Sequence, residues 1–338
     1  MDAIKMKAAV MQKYGKPENI QFLDIEKPKI AHNEVLVKMK AASINPVDWK
    51  IMKGELKPII HFSFPMRLGS DGAGIIEEVG SAVNDFNVGD EVYFRTEVSH
   101  MGTFAEYINI SSDLIAKKPS NMTFTEAASI PLVGLTSYQA LSDRANIKSG
   151  NKVLIHAGSG GIGTFAIQYA KHIGAYVATT GSEKRFDLLK NLGADKLIDY
   201  KKEQFENELK DYDIVYDTIG ADYHEKSYKV LAKDGKLVSI LGIPTVDVLS
   251  KLGANWLIKT ISRINLMFKN NQAKKHHATY LHHFMHGSGK ELAAIGKIIE
   301  QGKIKAVIDS TYSLEKLKEA INNSVGGRAV GKIVVEIE

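Results

Sequence analysis

Three glycines, Gly158, Gly160 and Gly163, stand at the G-x-G-x-x-G spacing of a turn that holds a dinucleotide. The first makes the tight turn, the second lets a pyrophosphate approach the backbone, and the third lets a helix pack closely on a strand. The freed amides and the positive end of the following helix would face the phosphates. The run expected to hold them is Gly158, Ser159, Gly160, Gly161, Ile162 and Gly163. A carboxylate about twenty residues further on would bind a ribose diol and select NAD. The chain has instead Thr179, Thr180, Gly181 and Ser182, followed by Lys184 and Arg185. The small residues leave room for a 2′-phosphate and the cations can pair with it, so the expected cofactor is NADPH. Glu183, between them, argues the other way. Gly242 is expected to provide a second close approach, toward the nicotinamide half.

Such a turn needs a strand before it and a helix after it. Val153, Leu154 and Ile155 supply the apolar strand; Phe165, Ile167, Tyr169, Ala170 and Ile173 supply the helical period. A second strand follows at 175–180, then a helix at 183–191, strands at 196–200 and 213–217, a helix at 223–232 and a strand at 236–241. That alternation predicts a parallel sheet covered by helices on both faces. Residues 1–125 read differently, as short strands separated by glycine and proline turns, which predicts an irregular β-barrel-like domain. A capped helix is expected to start at Thr125, with an apolar helical run over 132–141. Residues 243–275 read as irregular and basic, with a strand at 279–285 and a helix at 292–301. Segments 306–309, 314–322 and 332–337 close the chain and are expected to return to the first domain. The predicted fold is α/β: a barrel-like domain from 1–125 and 306–338, and a doubly wound nucleotide domain over 126–305.

A chain of 338 residues exceeds what one compact core usually holds. It has no cysteine, which excludes disulfides and thiolate metal sites and fits a cytoplasmic home. No signal-peptide pattern is visible at the N-terminus, and no uncharged apolar run reaches the roughly 18 residues that span a bilayer. The net charge of +5 suits solubility and an anionic cofactor and gives no ground for nucleic-acid binding.

The run GSDGAGIIEEVG at 69–80 resembles the medium-chain dehydrogenase/reductase superfamily. So, in the same order, do NPVDWK at 45–50, NDFNVGD at 84–90, GLTSY at 134–138, the glycine turn, LGAD at 192–195 and GRAVGKIV at 327–334. Within the superfamily the chain is similar to the zinc-free quinone oxidoreductase branch, near chloroplast-envelope quinone oxidoreductase homologues and alkenal/enone oxidoreductases. The resemblance implies a GroES-like catalytic domain built from both chain ends, a central Rossmann domain, and a cleft between them. Asn45 and Ser70 stand where zinc relatives place a ligand cysteine and a ligand histidine, and a catalytic zinc needs three protein ligands. The implied chemistry is therefore metal-free hydride transfer from NADPH to a small enone, enal or quinone, by a homodimer. Arg185 falls on the branch's phosphate-binding lysine, Tyr200 on its adenosine-site tyrosine, and Thr136 on a position near the nicotinamide. Asn45 and Lys50 flank the loop placed beside the nicotinamide, where an amide and an ammonium can hold a carbonyl oxygen. The common quinone reductase pattern has tyrosine at Lys50; alkenal-type relatives have lysine, which tilts the expectation toward enones.

Other residues invite weaker readings. His276, His277, His282, His283 and His286 read as an exposed polar cluster rather than a metal site, and His156 as a core residue. Trp256, Leu257, Ile258, Ile261, Ile264, Leu266 and Phe268 alternate with Lys259, Arg263 and Lys269. A membrane-surface helix is one reading of that stretch; a substrate-cleft wall or dimer contact is the favoured one. The alternative to an enzyme is an idle NADPH-binding scaffold, possibly at a membrane surface.

Overall fold

The computed structural model describes residues 4–220 and 222–338. They form two compact units, one from Met1–Leu135 with His286–Glu338 and one from Thr136–Met285. The first unit joins a mostly antiparallel sheet to a small one. Its main sheet runs Ile308–Ser313, Lys332–Glu336, Glu34–Ile44, Asp71–Val79, Glu91–Arg95 and Ile115–Lys117. Both chain ends therefore build it, as the closing strand 332–337 suggested. Val35, Val37, Met39, Phe94, Leu317 and Ile333 are among the buried side chains of its core.

The second unit holds a six-stranded sheet in the order Lys196–Asp199, Tyr176–Gly181, Lys152–Ile155, Tyr212–Asp217, Leu231–Ser239 and Thr279–His282. Every pairing in it is parallel. Reversal of strand order beside Lys152–Ile155 creates the switch point at which α/β sheets bind ligands. The α/β fold, with a GroES-like and a Rossmann-like part, is the one expected.

Three local expectations need correction. Segment 286–305, assigned above to the nucleotide domain, packs in the first unit. A Cβ on Gly289 would come within 2.2 Å of the Ile115 carbonyl oxygen, and the Tyr93 hydroxyl donates to the Leu292 carbonyl at 2.6 Å. The helix expected from Thr125 is Phe124–Ala128, capped by Thr123. The Glu126 amide donates to Thr123 Oγ1 at 3.2 Å while the Glu126 carboxylate accepts from the Thr123 amide at 2.9 Å. Finally, the stretch read as irregular contains a helix of 20 residues, Trp256–Lys275, started by Asn255, whose side chain accepts from the Ile258 amide at 3.0 Å. Its large apolar residues face outward, so the usual buried stripe was missing from its pattern.

Candidate functional site

In the second unit the strand Lys152–Ile155 runs into the turn and the helix Gly161–Ile173. A Cβ on Gly158 would lie 2.1 Å from Thr179 Oγ1, and one on Gly163 would lie 2.5 Å from the Ala157 carbonyl oxygen. Those two glycines are needed for packing. Gly160 is different: its Cβ would meet only the Ala157 oxygen, at 3.4 Å, so the missing side chain leaves space. The turn is fixed from behind. The Ala157 amide donates to Thr180 Oγ1 at 3.0 Å, and the Gly158 amide to the Thr180 carbonyl at 2.9 Å. No side chain caps the helix at Gly160, and its first turn carries no acidic residue. Its leading amides and positive end thus suit an anion, and the cradle fits a dinucleotide pyrophosphate.

The 2′-phosphate candidates lie at the ends of neighbouring strands. Gly181 pairs with Asp199, and the Tyr200 amide donates to the Gly181 carbonyl at 3.3 Å. Tyr200, remote in sequence, is thereby brought beside the turn that carries Ser182 and Arg185. Ser182 is buried, Arg185 half-buried and Tyr200 exposed. Of the carboxylates on these segments, Glu183 pairs with Lys202, and Asp199 Oδ1 accepts from the Lys201 amide at 3.1 Å. Thr136 is buried in the helix Pro131–Tyr138. Gly242 has φ +113°, a conformation that favours glycine, and its nearest neighbour to an added Cβ is 3.9 Å away.

Next along the sheet stands a cluster that the sequence reading missed. Asp217, at the end of its strand, accepts from His224 Nε2 at 2.7 Å, from the Ser239 hydroxyl at 2.9 Å and from the Gly220 amide at 2.8 Å. Burial opposes its charge, but these donors win and hold it near 2. Lys269 donates to His224 Nδ1 at 2.7 Å. His156 is a packed core residue, pushed down to about 4 by burial.

The first unit assembles the other candidates. Asn45 starts the helix Pro46–Lys53, and its amide N–H donates to the Asp48 carboxylate at 2.8 Å. Its side chain is 1% exposed; Nδ2 donates to Asp71 Oδ2 at 3.0 Å and Oδ1 accepts from Lys332 Nζ. Lys332 also donates to the Ile44 carbonyl at 3.1 Å and lies 3.8 Å from Asp71 Oδ2. Arg95 Nε stands 3.8 Å from the other Asp71 oxygen. Ser70 donates to Asp48 Oδ1 at 2.7 Å. Burial raises Asp48 to about 6 and lowers Lys332. The enclosed lysine of this unit is thus Lys332 and not Lys50, which is half-buried, its Nζ 5.8 Å from the Trp49 ring centroid. Asp48 caps the start of the helix, as a turn-capping carboxylate would. Asp71, Arg95 and Lys332 escaped the sequence reading because they come together only through strand pairing. The register Asp71↔Ser43 with Asp71↔Arg95, and Ile333↔Ile44, was the missing information.

The histidine cluster divides: His282 and His283 are buried, against expectation, while His276, His277 and His286 are exposed. The strand Thr279–His282 alternates its side chains, and its last residue packs under Gly242. Among the described residues no three His, Cys, Asp or Glu side chains are grouped to hold a metal ion. A groove of about 620 Å³ in the first unit, lined by Asp85, Lys117, Pro119 and Lys297, contains none of the expected site residues.

Two family models match the chain: the alcohol dehydrogenase GroES-like domain over residues 31–120 and the zinc-binding dehydrogenase over residues 192–335. A 2-methylene-furan-3-one reductase of Solanum lycopersicum is 33% identical, over 98% of this chain and 79% of its own length. A chloroplastic NADPH-dependent alkenal/one oxidoreductase of Arabidopsis thaliana is 32% identical, with the same coverage of 98% and 79%. The quinone oxidoreductase structure from Coxiella burnetii superposes with a TM-score of 0.85 at 32% identity, covering 99% of this chain and all of its own. Motif order, fold and likeness over nearly the whole length agree: the chain belongs to the medium-chain dehydrogenase/reductase superfamily, among its NAD(P)H-dependent oxidoreductases.

Proposed function

We propose that the protein is an NADPH-dependent reductase of α,β-unsaturated carbonyls or quinones that works without a metal. The observation that carries the cofactor choice is the strand end at Ser182 and Arg185, where the nearby carboxylates Glu183 and Asp199 are already engaged. A 2′-phosphate there meets a hydroxyl and a guanidinium. Gly158 to Gly163 hold the pyrophosphate, Tyr200 covers the adenosine, and Thr136 and Gly242 serve the nicotinamide half.

Metal independence is supported by the bonding of Asn45 and Ser70. Both stand at ligand positions of zinc relatives, and both spend their side chains on Asp48, Asp71 and Lys332. When bound, NADPH supplies the hydride; the protein supplies placement and donors. Lys50 presents an ammonium to the acceptor's carbonyl oxygen, where charge develops as hydride adds to the β-carbon. For Asn45 the assignment changes from the expected carbonyl donor to a positioning residue. Its amide is enclosed and bonded at both ends, and it fixes the start of the helix that carries Lys50.

Lys50→Met tests this reading. Turnover of an alkyl vinyl ketone should fall by about 10²-fold, as for the loss of one oxyanion donor, with NADPH affinity unchanged. Reduction of an ortho-quinone should fall less, because two oxygens share its charge. Unchanged ketone kinetics would remove Lys50 from the mechanism.

A further inference from the structure

The helix Trp256–Lys275 is anchored along one side only. Ser262 donates to the Pro244 carbonyl at 2.6 Å, Lys269 reaches His224 at 2.7 Å, Ala273 is buried, and Leu266 packs on the core of the unit. At 100° per residue these four share one side. Trp256, Leu257, Ile261, Ile264, Met267 and Phe268 fall on the opposite side, and all are exposed, from 43% at Ile261 to 76% at Trp256. The helix thus turns its large apolar residues outward, the reverse of an ordinary surface helix. Its charge is equally one-sided. Residues 256–275 contain no Asp or Glu, but five cations: Lys259, Arg263, Lys269, Lys274 and Lys275. Lys269 is committed to His224, which leaves four around the apolar stripe.

A single contiguous apolar face of this kind marks a contact surface. The anchors at Ser262 and Lys269 prevent the helix from rolling over to bury it. A second copy is a poor occupant: a two-fold contact sets this surface against itself, cations facing cations with no acid from the helix to answer them. A bilayer surface with anionic lipid answers both features. Apolar side chains enter the acyl boundary, Trp256 sits at headgroup level, and the cations meet the phosphates. No described helix is long and apolar enough to cross a membrane. We propose that Trp256–Lys275 is an interfacial helix that binds the protein to anionic bilayers. The inference stands apart from the reductase reading, since binding requires no turnover.

Vesicle flotation tests it with the full chain. One set of vesicles is pure phosphatidylcholine, and the other contains roughly 30% phosphatidylglycerol, in the range of anionic leaflets. The protein should float with the anionic vesicles and bind the neutral ones at least about tenfold more weakly, as expected when cations contribute. Ile264→Asp with Phe268→Asp should abolish flotation. Lys274→Gln with Lys275→Gln, at exposed positions, should weaken it severalfold and keeps the test readable if the aspartates disturb folding. Light scattering measures the solution mass of each variant. Failure of the unaltered protein to float overturns the proposal, as does flotation that neither pair of substitutions reduces. Conversion of an assembled species to monomer by the aspartate pair would assign the face to a second copy instead.

Discussion

The glycine turn and the buried charge cluster solve opposite problems. At the turn, capacity comes from what is missing: no Cβ at Gly160, no acid in the first helical turn and no capping side chain. In the cluster around Asp71, Arg95 and Lys332, Asn45, Asp48 and Ser70 spend their polar atoms on one another and on Asp71 and Lys332, although Asp71 Oδ1 and Arg95 Nε, 3.8 Å apart, make no hydrogen bond among the described residues. The first arrangement is built to receive an anion from outside. The second is built to hold a helix and its Lys50 in one place. On the proposed reading, buried charge in this protein marks positioning and exposed backbone marks binding.

Breaking the cluster should have the largest effect. Lys332→Met leaves the Asp71 carboxylate with one cation fewer and the Asn45 carbonyl without its donor. Removing one partner of a buried ion pair typically costs about 3–5 kcal/mol, and urea unfolding should show a loss of that size. A loss below about 1 kcal/mol, the scale of an exposed pair, would mean that the cluster is not the rigid support described.

The turn predicts a smaller and selective loss. Arg185→Ala should weaken NADPH by about 1.5–3 kcal/mol, the worth of a hydrogen bond to a charged group, with NADH nearly unaffected. Titration calorimetry with both cofactors decides it. Equal losses would place Arg185 elsewhere than at the 2′-phosphate.

The same contrast explains what the sequence disclosed. The Gly158–Gly163 spacing and the strand–helix alternation are local, so the turn, the parallel sheet and the family could be read directly. Ser182 and Arg185 follow from counting along one strand. Asp71, Arg95 and Lys332 are separated by up to hundreds of positions, and only the register of antiparallel strands brings them together. The helix Trp256–Lys275 was obscured for another reason: its apolar period points to solvent, so it does not resemble a core-facing helix.

Acid should separate the two regions further. His156 is held neutral, near 4 against an unfolded value near 6.5, so the unfolded chain takes the proton first. Its contribution is present above pH 6.5 and is lost as pH falls from there toward 4. Asp48 has the opposite sign. Raised to about 6, it penalises the folded state at neutral pH, and that penalty is relieved as pH falls from 6 toward 4. Between pH 7 and 5 each amounts to about 1–2 kcal/mol. Hydrogen exchange corrected for intrinsic rates should therefore show the strand Lys152–Ile155 losing protection while the helix Pro46–Lys53 keeps or gains it. Equal loss in both would contradict the assigned environments.

Metal-free reduction with NADPH can be checked in a single assay. Protein dialysed against a strong chelator is mixed with NADPH and an alkyl vinyl ketone, NADPH absorbance is followed, and the product is identified by NMR. Turnover to the saturated ketone should be undiminished, with NADH a poorer donor. Activity that disappears on chelation and returns with zinc, or an allylic alcohol as product, would contradict it.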